Sequence, residues 1–177
     1  ASGVLMDIAL ATTKNSRGGP AKAAVVGSSL MGMISGTAVA NVLTTGTISI
    51  PLMRRAGYKP SVAAGVEAVA STGGQLMPPI MGAAAFLMAD IMEVPYLEIT
   101  AAALIPAVLF YIAVFATVHL EAVKTGLKPL DSLEVPDVNQ SLLRSGHVLL
   151  SIPVFIGALV SGYSVMYSSM AGIICLL

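Results

Sequence analysis

Charge is what this sequence has least of. Asp, Glu, Lys and Arg make up 10% of its 177 residues, against roughly 25% in a soluble domain. The nine basic and nine acidic side chains cancel, so there is no basic footprint for a nucleic-acid partner. Cysteine occurs once, at Cys175 in an apolar run. It can form no internal disulfide and no thiolate cluster, and reads as a packed small hydrophobe. The two histidines, His119 and His147, stand near opposite ends of a linker, and no His, Cys and Asp share metal-ligand spacing. Ser35 has no His and acid near it for a hydrolase triad. The stretch Arg17 to Lys22, RGGPAK, lacks the Walker pattern and reads as a turn entering a helix. Nothing here points to an enzyme.

What remains is apolar. Hydrophobic residues are 56% of the chain and the mean hydropathy is +0.88. Uncharged runs cover Ala23–Met53, Ala68–Ala89, Ile99–Val118 and Leu149–Leu177. Each is long enough for the membrane-spanning reading, which asks for about 18 apolar residues. The expectation is an all-α membrane protein with several passes. The chain opens without an initiator Met or a basic leader, and its last run continues to the end; both features suggest a piece of a longer membrane protein.

Length and charge shape the first run. Its 31 residues would make a helix of about 47 Å, against a hydrocarbon core of about 30 Å, while two crossings need about 40 residues. Lys14, Arg17 and Lys22 precede it, and Arg54, Arg55 and Lys59 follow it. Basic residues favour the cytoplasmic side, so both ends are expected there. The result is a re-entrant hairpin over 21–53 that turns at Ser35-Gly36-Thr37. A single tilted span with a long interfacial tail is the alternative.

A discontinuous helix is expected next, over 60–91. From Pro60 the pattern is helical to about Ala70, and then STGGQLMPP, Ser71–Pro79, interrupts it. Gly73-Gly74 breaks helices, and Pro78-Pro79 removes two backbone donors. Helix is expected to resume over Met77–Ala89, with Pro79 near its start. Asp90, Glu93 and Glu98 then mark the opposite side, a span over 98–120 returns, and Lys124 and Lys128 follow it. Residues 125–146 read as a polar linker, with a short helix over DVNQSLLRSG capped by Asp137. Residues 147–177 read as a helix pair turning at Ser161-Gly162-Tyr163, its second helix cut short.

Broken helices leave backbone groups bare where each unsatisfied one costs several kcal/mol. Two breaks at similar depth should therefore face each other around a site. Carbonyl ends suit a cation and N–H ends an anion. Ser35, Thr37, Asn41, Ser71 and Thr72 add the neutral oxygens that sodium accepts. The competing reading is close packing, for which the Gly27–Gly32 and Gly32–Gly36 spacings would serve. Glu67 has two readings that sequence leaves open: an ion or proton group, or a water-exposed or salt-bridged residue near the cytoplasmic end.

The stretch Gly32 to Asp90, GMISGTAVANVLTTGTISIPLMRRAGYKPSVAAGVEAVASTGGQLMPPIMGAAAFLMAD, resembles the first half of the large membrane subunit of tripartite ATP-independent periplasmic (TRAP) transporters. The signature is Ser-Gly-Thr-Ala at 35–38, Ile-Pro-Leu-Met at 50–53, Ala-Gly-Tyr at 56–58 and Pro-Pro at 78–79. HVLLSIPVFIGALVSGYS, from His147, is similar to the fused permeases of the branch served by TAXI-type binding proteins. The resemblance implies a secondary transporter of the bacterial or archaeal cytoplasmic membrane, built from inverted repeats and working by an elevator motion. Ala21–Met53 would be its first hairpin and Ser71–Pro79 its helix break, with the second repeat missing from this chain. Sodium would be the coupling ion, with no other cofactor, and an organic acid would lie against the hairpin tips. The partners implied are a periplasmic TAXI-type binding protein and a small membrane subunit or its fused equivalent. Gln75 and Met77-Pro78-Pro79 depart from the more aliphatic family pattern, which leaves ligand preference open.

The residues expected to hold sodium are Ser35, Gly36, Asn41, Ser71, Thr72, Gly74 and Met77, the glycines and Met77 acting through carbonyls. Thr37, Ala38 and Pro79 are expected to face the substrate, because N–H groups beyond Thr37 suit a carboxylate. Two other functions compete: a stand-alone sodium/anion symporter of similar architecture, and a membrane scaffold that transports nothing.

Overall fold

The computed structural model describes residues 2–127 and 151–175, all helix and connecting turns. Residues 128–150, with His147 and most of the expected linker, lie outside the described residues. The helices are α1 (Ser2–Thr13), α2 (Gly19–Ser35), α3 (Ala38–Arg55), α4 (Pro60–Gly73), α5 (Ala83–Met92), α6 (Tyr96–Lys124), α7 (Ser151–Val160) and α8 (Val165–Ile174), with a 3-10 turn at Gly74–Leu76.

Local chemistry sets most of these ends. Pro20 and Pro60 stand in the first turns of α2 and α4, where a missing N–H costs nothing. Gly36 stops α2 in the left-handed region (φ 61°), its N–H donating to Gly32 O at 3.1 Å. Thr37 then caps α3, its Oγ1 accepting from the Ala40 N–H at 3.3 Å. Arg54 and Arg55 close α3, and Lys124 closes α6, favourably placed against each helix dipole.

Helix does not resume at Met77. Residues 77–82 stay irregular and α5 begins at Ala83. Pro78 and Pro79 offer no N–H to a helical ladder. Met81 takes a left-handed conformation (φ 57°), and Gly82 N–H turns back to Gln75 O at 2.8 Å. The pair α7–α8 reverses at Ser161-Gly162, where Gly162 has φ 83°.

The central core joins small side chains, Ala21 and Ala24 of α2, Ala63 and Ala70 of α4 and Ala122 of α6, with the larger Val25, Met53, Tyr58, Tyr111 and Val118. Small residues let helices approach closely, as membrane helices require. Among the described residues, α6 is the helix long and apolar enough to cross a bilayer. Its 29 residues reach about 43 Å at about 1.5 Å per residue. The helices that bear on the site, α2 to α5, are shorter or less apolar.

Candidate functional site

The tip between α2 and α3 meets the irregular segment after α4. A Cβ on Gly36 would stand 2.3 Å from Met81 O, and one on Gly82 would stand 3.4 Å from Gly36 O. A turn deeper, α2 crosses the end of α4 backbone on backbone at Gly32 and Gly74. Asn41, on the first turns of α3, closes this corner: its Nδ2 donates to Ser28 O at 2.8 Å and lies 2.9 Å from where a Gly74 Cβ would be. The two interruptions thus share one small volume.

Below that corner lies a polar cluster that links three helices. The carboxylate of Glu67, on α4, accepts from Ser28 of α2 at 3.2 Å, Thr45 of α3 at 2.5 Å and Ser71 of α4 at 3.0 Å, all at Oε1. Its Oε2 accepts from Ser49 of α3. Thr45 Oγ1 also lies 2.8 Å from Asn41 O. Every member is buried, and Glu67 itself is 0% exposed. The helical repeat explains the convergence. Asn41, Thr45 and Ser49 recur every four residues along one face of α3, and Glu67 and Ser71 do so on α4. Gly46 makes room for the acid, since a Cβ there would come within 3.2 Å of Glu67 Cγ. Among the described residues no three His, Cys, Asp or Glu side chains converge.

The family model of the tripartite ATP-independent periplasmic transporter, DctM component, matches residues 1–177. The chain belongs to this family. It is also 29% identical over 158 residues to the C4-dicarboxylate TRAP transporter large permease protein DctM of Pseudomonas aeruginosa, covering 89% of this chain and 36% of that protein. A second relative, the uncharacterised protein y4mL of Sinorhizobium fredii, is 35% identical over 75 residues, 42% of this chain and 18% of that protein. The chain therefore spans about a third or less of the length of these relatives. Members of the DctM family are transporter components, not enzymes. Family and the long apolar α6 together put the chain in a membrane.

Within this DctM-family chain the expected site residues fall into three groups. Asn41, Ser71 and Gly74 are buried together at the α2–α3–α4 crossing. Ser35, Gly36, Thr37 and Ala38 form the tip: Gly36 is buried against Met81, Thr37 is exposed, and Ser35 Oγ lies 3.4 Å from Thr37 O. Met77 and Pro79 are half-buried in the irregular segment, Met77 packing against the central core. Thr72 is not brought in; it is exposed and donates to Ala68 O at 2.7 Å.

Four residues of this region escaped sequence reasoning. Ser28, Thr45 and Ser49 complete the shell of Glu67, and the four-residue polar repeat on α3 was the signal for Thr45 and Ser49. The fourth is Tyr96, at the start of α6. Its hydroxyl reaches Ile80 O at 2.5 Å and Pro79 O at 3.0 Å, and its ring stacks on Phe86 with centroids 4.6 Å apart. It satisfies carbonyls released by the break. Glu67 is 0% exposed with hydroxyls as its hydrogen-bond partners among the described residues, which overturns the water-exposed reading.

At the other end of α2, Lys22 is buried with its Nζ 2.9 Å from His119 Nδ1 and 3.2 Å from Ser16 Oγ. The ammonium sits 5.2 Å from the Phe115 ring centroid, and both residues line an apolar cavity of about 630 Å³ between α2 and α6.

Proposed function

We propose that this chain forms part of a permease of the cytoplasmic membrane that takes up an organic acid by sodium-coupled, elevator-type transport, the acid being delivered by a periplasmic TAXI-type binding protein. The small membrane subunit is separate or fused. The observation that carries the reading is the meeting of two helix interruptions, Gly36 against Met81 and Gly32 against Gly74. Backbone carbonyl ends brought together inside a membrane need a partner, and a dehydrated cation is the ligand they fit.

In this reading sodium is bound by Ser35, Gly36 and Asn41 from the hairpin and by Ser71, Gly74 and Met77 from the break. Thr72 is the weakest member, since its hydroxyl is committed to Ala68 O. Thr37, Ala38 and Pro79 face the substrate, which is an acid because α3 begins at the tip and its N-terminal amides favour negative charge. The Pseudomonas relative's name gives C4-dicarboxylate as its substrate, and a small carboxylate is the class proposed here.

The test uses the full-length protein in liposomes, with an inward sodium gradient and with or without its binding protein. Sodium-driven uptake that requires the binding protein is the expected result. Strong uptake without it would identify a stand-alone symporter. No uptake of any small organic acid under any gradient would leave the scaffold reading.

A further inference from the structure

Among the described residues, the crossing of α2, α3 and α4 holds a carboxylate with no positive charge beside it. Glu67 is 0% exposed, and its hydrogen-bond partners are the hydroxyls of Ser28, Thr45, Ser49 and Ser71. From α6 the titratable side chain facing this corner is Tyr111, whose Oη donates to Ala70 O at 2.9 Å. On α2, Lys22 is engaged by Ser16 and His119. On α3, Arg54 and Arg55 are exposed at the far end. An ionised carboxylate taken out of water is costly unless it is paired, and ionisable groups within membrane helices mark ion pathways. Hydroxyls donate hydrogen bonds but bring no charge.

The shell is also over-subscribed at one hydroxyl, that of Thr45. Thr45 Oγ1 has one hydrogen, yet it lies 2.5 Å from Glu67 Oε1 and 2.8 Å from Asn41 O. When that hydrogen turns to Asn41 O, the lone pairs of Thr45 and the carboxylate face each other. Ser28 Oγ, 3.2 Å from Oε1 and 3.3 Å from Thr45 Oγ1, borders the same point. We propose that Glu67 is the charged group of a cation site formed with Ser28, Thr45, Ser49 and Ser71, and that one positive charge, a sodium ion or a proton, occupies it in the loaded transporter. The site lies beneath the tip, whose Gly36 touches Met81 and Ile80 and not Glu67. The loaded site is electrically neutral and the empty one carries a full negative charge.

This inference rests on the transport reading above, and one experiment separates their failures. The full-length transporter and its binding protein are reconstituted, and uptake is measured against sodium at fixed pH and against pH at fixed sodium. If sodium is the charge, Glu67→Gln raises its half-saturating concentration by roughly tenfold or more, the scale of losing a charged ligand. If a proton is the charge, Glu67→Gln abolishes stimulation by an inward proton gradient and leaves the sodium response intact. Either result supports the site and names its occupant. Unchanged responses to both cations in a folded Glu67→Gln protein overturn it. Should that variant not fold, Thr45→Val and Ser49→Ala are expected to move the same half-saturation, and no shift in either overturns the proposal. Wild-type uptake indifferent to both gradients would instead remove the cation-coupled reading itself.

Discussion

Gly32 and Gly74 cross with nothing but backbone between them: a Cβ on Gly32 would stand 2.3 Å from the Cα of Gly74, and one on Gly74 would stand 2.8 Å from the Cα of Gly32. Neither neighbour is a flexible side-chain end that can swing aside. The crossing holds the hairpin against the break, and Asn41 and Ser28 are packed around it.

Alanine at either position is therefore expected to separate α2 from the end of α4. Overpacking of this kind costs about 1–3 kcal/mol, read as a lower thermal midpoint in detergent. Gly65, on an exposed face of α4 with nothing within 4 Å, is the control. Gly65→Ala should be neutral or stabilise by up to about 1 kcal/mol, because alanine favours helix.

Two left-handed glycines should answer differently to the same change. Gly36 (φ 61°) and Gly162 (φ 83°) both disfavour a side chain through backbone conformation, a cost of about 1–2 kcal/mol. At Gly162 that is the whole penalty among the described residues, none of which has an atom within 4 Å. At Gly36 the Cβ also meets Met81 O at 2.3 Å. Gly36→Asn, which tolerates the conformation but not the contact, should be as damaging as Gly36→Ala. Gly162→Asn should be nearly silent. Parallel thermal unfolding of these three variants checks this, and equal losses at the two sites would count against the tip contact.

The buried tyrosines predict opposite signs for one substitution. Tyr96→Phe keeps the stack on Phe86 but strands the carbonyls of Pro79 and Ile80, a loss of about 1–3 kcal/mol. Tyr111→Phe abandons Ala70 O with a similar cost. Tyr58 Oη is buried with no partner among the described residues, so Tyr58→Phe should be neutral or stabilising. A destabilised Tyr58→Phe would mean that its hydroxyl has a partner elsewhere in the full-length protein.

Topology can be checked with thiol labelling. Cys175 is exposed and is first replaced by Ser. Cysteines at the exposed positions Arg17 and Lys59 should then react with an impermeant reagent from one side of the membrane, and a cysteine at Glu93 from the other. Opposite-side labelling of the first two would rule out a re-entrant hairpin.

The turn at Ser35-Gly36-Thr37 and an interruption within Ser71–Pro79 were legible because their signals are local, although α4 runs to Gly73, three residues past the expected end at Ala70. A glycine beside a capping threonine, a Gly-Gly pair and two consecutive prolines each act on their own few residues. The length of the second interruption was less legible. Met81 and Gly82 depart from helix because Gly82 N–H finds Gln75 O, and because Met81 packs against Gly36 and Tyr96 from other elements. Glu67 was the hardest to read. Its partners lie as far as 39 residues away in sequence, and only the crossing of three helices makes them neighbours. The repeat of Asn41, Thr45 and Ser49 on one face of α3 was present in the sequence, but a polar stripe does not say what it faces.

The contact at the base of the hairpin fixes where a hydrogen sits. Lys22 Nζ lies 2.9 Å from His119 Nδ1, and an ammonium can only donate. His119 must therefore present Nδ1 as a bare acceptor and carry its hydrogen on Nε2. The histidine thus ties the end of α6 to the start of α2 through one tautomer, a contact between residues 97 positions apart.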